Sequence, residues 1–109
     1  MSSIPFGSYL EERVATLTVI GGDASGAELV LDQRRTLLGR GPGVDFAFDD
    51  PAMSAEHAAI EFGAEGFELQ RRNGASVLLN GQRVQRARLK HGDWFALGSI
   101  RFEYRETPR

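Results

Sequence analysis

The stretch LLGRGPGVDFAFDDPAMSAEHAAIEF, Leu37–Phe62, decides how the rest of the chain is read. It opens on an apolar run that stops at Gly39. Arg40 follows, then Gly41-Pro42-Gly43, residues that punctuate a chain rather than extend an element. Asp45–Phe48 alternates polar and apolar side chains, the period of a strand with one buried face. A second loop crosses Pro51 to Glu56, and His57–Phe62 returns to strand-like character. The alanines of Ser54–Ile60 make this the best helical candidate in the chain, and one turn leading into a strand is the limit it allows. Two loops therefore interrupt three short apolar segments, and no long helical period is present.

The flanking sequence repeats the theme. Val14–Ile20 (VATLTVI) is β-branched and strand-like, and Ala27–Asp32, Gly66–Gln70, Val77–Leu79, Trp94–Leu97 and Ser99–Tyr104 are short runs of the same kind. Turn signals between them recur about every 8–12 residues, the spacing of an all-β sandwich or barrel. Asn80-Gly81 is the strongest hairpin signal, because a two-residue type I′ turn needs positive φ at both central positions. Asn73-Gly74 is a second such pair. Phe46, Phe48, Phe62, Phe67, Phe102 and one of Trp94 and Phe95 are expected in or beside the core. The chain has 109 residues, which makes one domain, expected over residues 14–105 between flexible tails at 1–13 and 106–109.

Composition narrows function. There is no cysteine, so disulfides, thiolate nucleophiles and Cys-ligated metal sites are excluded. Two histidines without matched acid spacing leave no metal site to propose, and no cofactor fingerprint is present. Fifteen acids against thirteen bases argue against a nucleic-acid partner. No apolar run approaches the roughly 18–20 residues of a membrane helix, and MSSIPFGSYLEER lacks the pattern of a secretory leader, so the expected location is cytoplasmic. The charges are segregated. Residues 41–70 carry seven acids and no Lys or Arg, whereas Arg71, Arg72, Arg83, Arg86, Arg88 and Lys90 follow with no acid among them up to residue 90. Neighbouring strands could pair these blocks, or the basic one could border an anion site.

Arg40, at a strand end beside a glycine-rich loop, is suited to a bidentate anion contact unless Asp45, Asp49 or Asp50 pairs with it. Ser54 and His57 stand three positions apart. They do not form a nucleophile pair, because no nucleophile elbow or third member accompanies them. His57 is better read as a brace for its loop.

Taken together, Gly39-Arg40, Asp45, Ser54…His57, Asn80-Gly81, Leu89…Gly92-Asp93 and Leu97-Gly98 resemble the forkhead-associated (FHA) domain family, over roughly Val14 to Tyr104. The resemblance implies a β-sandwich of about eleven strands whose loops at one end bind phosphothreonine peptides, with no enzymatic activity. It assigns phosphate binding to Arg40 and Ser54, and support of the site to Gly39, His57 and Gly81. Possible phosphate or peptide contacts are Arg71, Arg72, Asn73, Ser76 and Asn80. The implied partner is a phosphorylated protein or peptide. The chain departs from the family pattern at Ala55, where a basic residue is usual, and at Glu56. Asn73-Gly74 also stands two positions early, which leaves Ala75-Ser76 where a peptide-holding asparagine is expected. Either Asn73 still reaches the ligand or that clamp is missing, and Arg71 and Arg72 could replace the lost cation. A phosphate-independent scaffold of the same fold is the alternative.

Overall fold

The computed structural model describes residues 4–109. Strand β1 (Arg13–Ile20) buries Ala15, Leu17 and Val19 and leaves the alternate residues half-buried or exposed. Strand β11 (Ile100–Pro108) does the same with Ile100, Phe102 and Tyr104. Alternation at period two points each apolar set to one face, so both strands can close on the same core. They pair antiparallel from Arg13↔Pro108 to Ile20↔Arg101 and form the longest ladder of the molecule.

The other strands are β2 (Glu28–Val30), β3 (Arg35–Gly39), β4 (Phe46–Ala47), β5 (Ala58–Gly63), β6 (Gly66–Arg71), β7 (Val77–Leu79), β8 (Gln82–Arg83), β9 (Arg86–Arg88) and β10 (Trp94–Leu97). One sheet has the order β2-β1-β11-β10-β7-β8, the other β4-β3-β5-β6-β9. Leu17, Phe95, Leu97 and Phe102 from the first meet Leu38, Ile60, Phe67 and Leu69 from the second in a single core. The all-β sandwich with eleven strands is as expected. Phe48, Phe67, Phe95 and Phe102 are buried, and Phe46 and Phe62 pack against the core from its edge. Trp94 is half-buried, with the Arg101 guanidinium 4.1 Å from its ring centre.

Two expectations, both about the tails, are corrected. Around Ser54 the limit of one turn leading into a strand holds: the turn is hydrogen-bonded, and Ala58–Gly63 is extended throughout. Strand β5 lies inside its sheet, bonded to β3 on one side and β6 on the other. Ala58, Ala59 and Ile60 are fully buried there. Tertiary pairing overrides the helix preference of alanine. The only helix among the described residues is instead α1 (Phe6–Glu12), inside the segment expected to be a tail. The first three residues of that segment lie outside the described residues. Tyr9 of α1 is buried against Phe62 and Phe67, with ring centres 4.9 and 5.6 Å away. At the other terminus β11 runs through the expected tail to Pro108, and the Arg109 N–H donates to the Glu12 carbonyl. The two ends also meet through the pairing of Arg13 with Pro108.

The strand directions divide the sandwich into two ends. The β3–β4, β4–β5, β6–β7, β8–β9 and β10–β11 connections gather at one. Helix α1 and the β5–β6, β7–β8 and β9–β10 turns gather at the other.

Candidate functional site

Gly39 ends β3 and is buried. A Cβ built there would lie 2.8 Å from the Ala55 carbonyl carbon and 2.9 Å from the Ser54 carbonyl oxygen, inside any real carbon contact. Only glycine lets the β3–β4 and β4–β5 loops approach this closely. Backbone hydrogen bonds then join them. Arg40 N–H donates to the Ser54 carbonyl at 2.9 Å, and Gly41 N–H to the Ala55 carbonyl at 3.0 Å. Arg40 and Ser54, fourteen positions apart in the chain, are thereby held side by side.

His57 fixes the second loop to a third. Its Nδ1 accepts from the Ser54 N–H at 3.0 Å, so the proton resides on Nε2, which donates to the Ser76 carbonyl at 2.7 Å. The ring is buried, and its backbone N–H and carbonyl bond to Leu38 and Arg72. One side chain therefore ties the β4–β5 loop to the β6–β7 loop while facing away from solvent.

Arg40 and Ser54 themselves are exposed. Among the described residues, the Arg40 guanidinium makes no ion pair and the Ser54 hydroxyl no hydrogen bond. Two of the acids that could have neutralised Arg40 are occupied by backbone groups. Asp45 accepts the Leu37 N–H at 2.7 Å. Asp50 is buried and accepts the N–H groups of Ser99 and Ala52, which hold its carboxyl below the usual carboxylate range. Arg40 adds only a minor favourable charge to Asp50. Asp50 thus anchors the β10–β11 turn to the second loop, a role the sequence reading did not assign.

The remaining candidates divide. The Arg72 guanidinium sits 3.2 Å from a Glu56 carboxylate oxygen, and Asn73 reaches the Glu56 carbonyl at 3.5 Å. Both stand on the β6–β7 loop beside Ser54's loop, but Arg72 already has an acid for a partner. Ser76 is exposed and lines a shallow depression of about 200 Å³ with Ser54, His57, Ala52 and Gly98. It also lines a larger one of about 380 Å³ with Arg71 and Arg83. Asn80 and Gly81 lie elsewhere. They form the β7–β8 turn, with φ of 50° and 87°, at the far end of β7 from Ser76. The Asn80 amide donates to Asp93 and accepts the Trp94 N–H, both at 3.0 Å. The expectation that Asn80 contacts a peptide and Gly81 supports the site is corrected, because that amide holds two chain connections together.

Arg83 is the candidate sequence reasoning missed. A signal was available, since a two-residue Asn80-Gly81 turn sets Arg83 across from Leu78, as the register has it, and so back toward Ser76. Among the described residues no cluster of His, Asp and Glu is arranged to hold a metal ion.

Comparisons with known proteins converge on one fold. The family described as "Inner membrane component of T3SS, cytoplasmic domain" (Yop-YscD) matches residues 18–107. The glycogen accumulation regulator GarA of Mycolicibacterium smegmatis is 33% identical over 112 aligned positions, which take in 100% of this chain and 66% of that protein. The chain thus spans just under two thirds of that relative's length. The FhaA FHA domain, solved in complex with the intracellular domain of Rv3910, superposes with a TM-score of 0.75 at 27% identity, covering 84% of this chain and 99% of that one. The cytoplasmic domain of the T3SS sorting platform protein PscD from P. aeruginosa superposes with a TM-score of 0.71 at 27% identity, covering 83% and 78%.

Proposed function

The chain is a forkhead-associated domain belonging to the Yop-YscD cytoplasmic-domain family, and on that premise we propose that it recognises phosphothreonine in a partner protein and tethers that partner without catalysing a reaction. The observation that carries this reading is the pairing of an unneutralised Arg40 with an exposed Ser54 hydroxyl on two loops locked by backbone hydrogen bonds. A phosphothreonine brings about −1.5 to −2 charges and three acceptor oxygens. The guanidinium supplies charge and directional donors, and the hydroxyl a further donor. Gly39 and His57 set the geometry in advance, so little ordering cost falls on binding. The 200 Å³ depression beside Ser54 and Ser76 gives the neighbouring peptide backbone a place to lie. Among the described residues no helix is long and apolar enough to cross a membrane. A cytoplasmic location is part of the proposal, supported by the description of the family.

One observation favours the phosphate-independent alternative. Glu56 places a carboxylate on the Ser54 loop itself and takes the Arg72 guanidinium as its partner. An assembly domain like the PscD relative would need no phosphate pocket. Calorimetric titration with a phosphothreonine peptide and its unphosphorylated twin separates the two. Under the first reading only the phosphorylated peptide binds, and Arg40→Ala or Ser54→Ala weakens it by about tenfold or more. Equal binding of both peptides overturns it in favour of assembly.

A further inference from the structure

The basic block that begins at Arg71 is only partly neutralised. Arg72 pairs with Glu56 between two loops, Arg86 with Glu68 across β6 and β9, and Arg88 with Glu65 of the β5–β6 turn, so the acidic and basic runs of the sequence do meet. Lys90 stands on the turn at the far end of the sandwich. Arg71 and Arg83 remain. Both are exposed, and among the described residues neither guanidinium has an ion pair or a hydrogen bond. Both line the 380 Å³ depression between the β6–β7 and β8–β9 connections.

Its walls are held by backbone. Arg71 N–H donates to the Gln85 carbonyl at 2.9 Å, and Val84 N–H to the Val77 carbonyl at 3.0 Å. Gly74, Ala75 and Val77 contribute no charge, so nothing within the depression offsets the two arginines. Ala75 and Ser76 form a shared rim with the smaller depression beside Ser54. An extended peptide seated at Ser54 and running over Ser76 would pass from one depression into the other.

We propose that the Arg71–Arg83 groove is an anion subsite that selects peptides carrying an acidic side chain, a carboxylate or a second phosphate, near the phosphothreonine. This rests on the phosphothreonine reading of Arg40 and Ser54 and adds a sequence preference to it. Two guanidiniums lining one open hollow repel each other, and an anion between them relieves that repulsion and gains directional hydrogen bonds. Because the groove is open to solvent, its contribution is modest and falls with ionic strength.

The test is a positional scan. Fluorescent phosphothreonine peptides in an alanine background carry one aspartate at each flanking position in turn, and a matching series carries phosphoserine. Binding is read by anisotropy at low and high salt. The expected result is one offset at which aspartate tightens binding roughly fivefold at low salt, with a larger gain for phosphoserine if phosphate is the better occupant. Arg71→Gln and Arg83→Gln each flatten that preference, and Arg83→Gln still discriminates phosphothreonine from threonine. Arg83→Glu turns it into a preference for lysine at the same offset. Thermal melts confirm that these exposed substitutions leave the fold intact. A flat scan with intact phosphate dependence overturns the subsite and leaves the phosphothreonine reading standing, as does an aspartate preference that survives both arginine substitutions. Loss of all phosphate dependence in the wild-type chain overturns both.

Discussion

The two ends of this sandwich are closed by opposite means. At the far end Phe6 and Tyr9 of α1 pack on Phe62 and Phe67 with ring centres between 4.9 and 6.3 Å apart. Apolar area seals that end. At the other end the loops are joined by backbone hydrogen bonds, by His57 and by Asp50, while Arg40, Ser54, Arg71 and Arg83 point outward. Polar stitching there fixes loop positions without covering the surface. The far end should therefore govern stability with little effect on recognition, and the exposed side chains of the loop end should do the reverse.

The most severe test of that division is Phe67→Ala. The ring is fully buried among three other aromatics, and its removal is expected to cost about 3–5 kcal/mol. Denaturant unfolding measures the loss. Phosphopeptide affinity, taken at a temperature where the variant is folded, should be unchanged, and a parallel loss of affinity breaks the division. His57→Ala crosses the boundary, because it deletes a buried brace at the loop end. It should cost about 2 kcal/mol and weaken binding as well, through two lost hydrogen bonds rather than any touch on the ligand. Nuclear magnetic resonance shifts of Ser54 and Ser76 report whether both loops are released.

Asp50 sharpens the comparison through pH. Its folded pKa is depressed, first by the Ser99 N–H and then by the Ala52 N–H. The stabilisation it gives is thus present above the ordinary carboxylate pKa and is lost as pH falls through the lowered folded value, below about pH 4. Asp50→Asn should flatten that part of the acid limb of the stability curve, and an unaltered limb would mean the carboxylate is not the anchor. The smallest stability change belongs to Arg40→Ala, within about 0.5 kcal/mol of wild type because the side chain is exposed and unpaired. Its expected effect lies in phosphopeptide affinity alone. A substantial drop in melting temperature would show that Arg40 is part of the framework.

The candidate site was legible where local chemistry imposed it. Gly39 allows a loop approach that no side chain would, and the sequence marks it; away from the site, the Asn80-Gly81 turn was legible for its positive φ. The role of Asn80 was not legible, since Asp93 and Trp94 meet it only through the pairing of β7 with β10. Arg83 was hidden in a run of bases whose individual partners depend on register. The helix at Phe6–Glu12 was missed because its amphipathic signal is two turns long, and its stability comes from Phe62 and Phe67, over fifty positions away.

Period-two alternation and turn residues acted over a few positions at a time, and they were enough to determine an all-β chain with short strands. The resemblance of Gly39-Arg40 and Ser54…His57 to the forkhead-associated pattern, rather than that alternation, marked Arg40, Ser54 and His57 as the residues to watch. Whether the Arg40 guanidinium was free or neutralised was decided only in the folded state. Asp45 and Asp50 lie close to it in the chain, yet backbone N–H groups occupy both carboxylates. Electrostatic partners are set by distance in space, and only the packing of the two sheets fixes that distance.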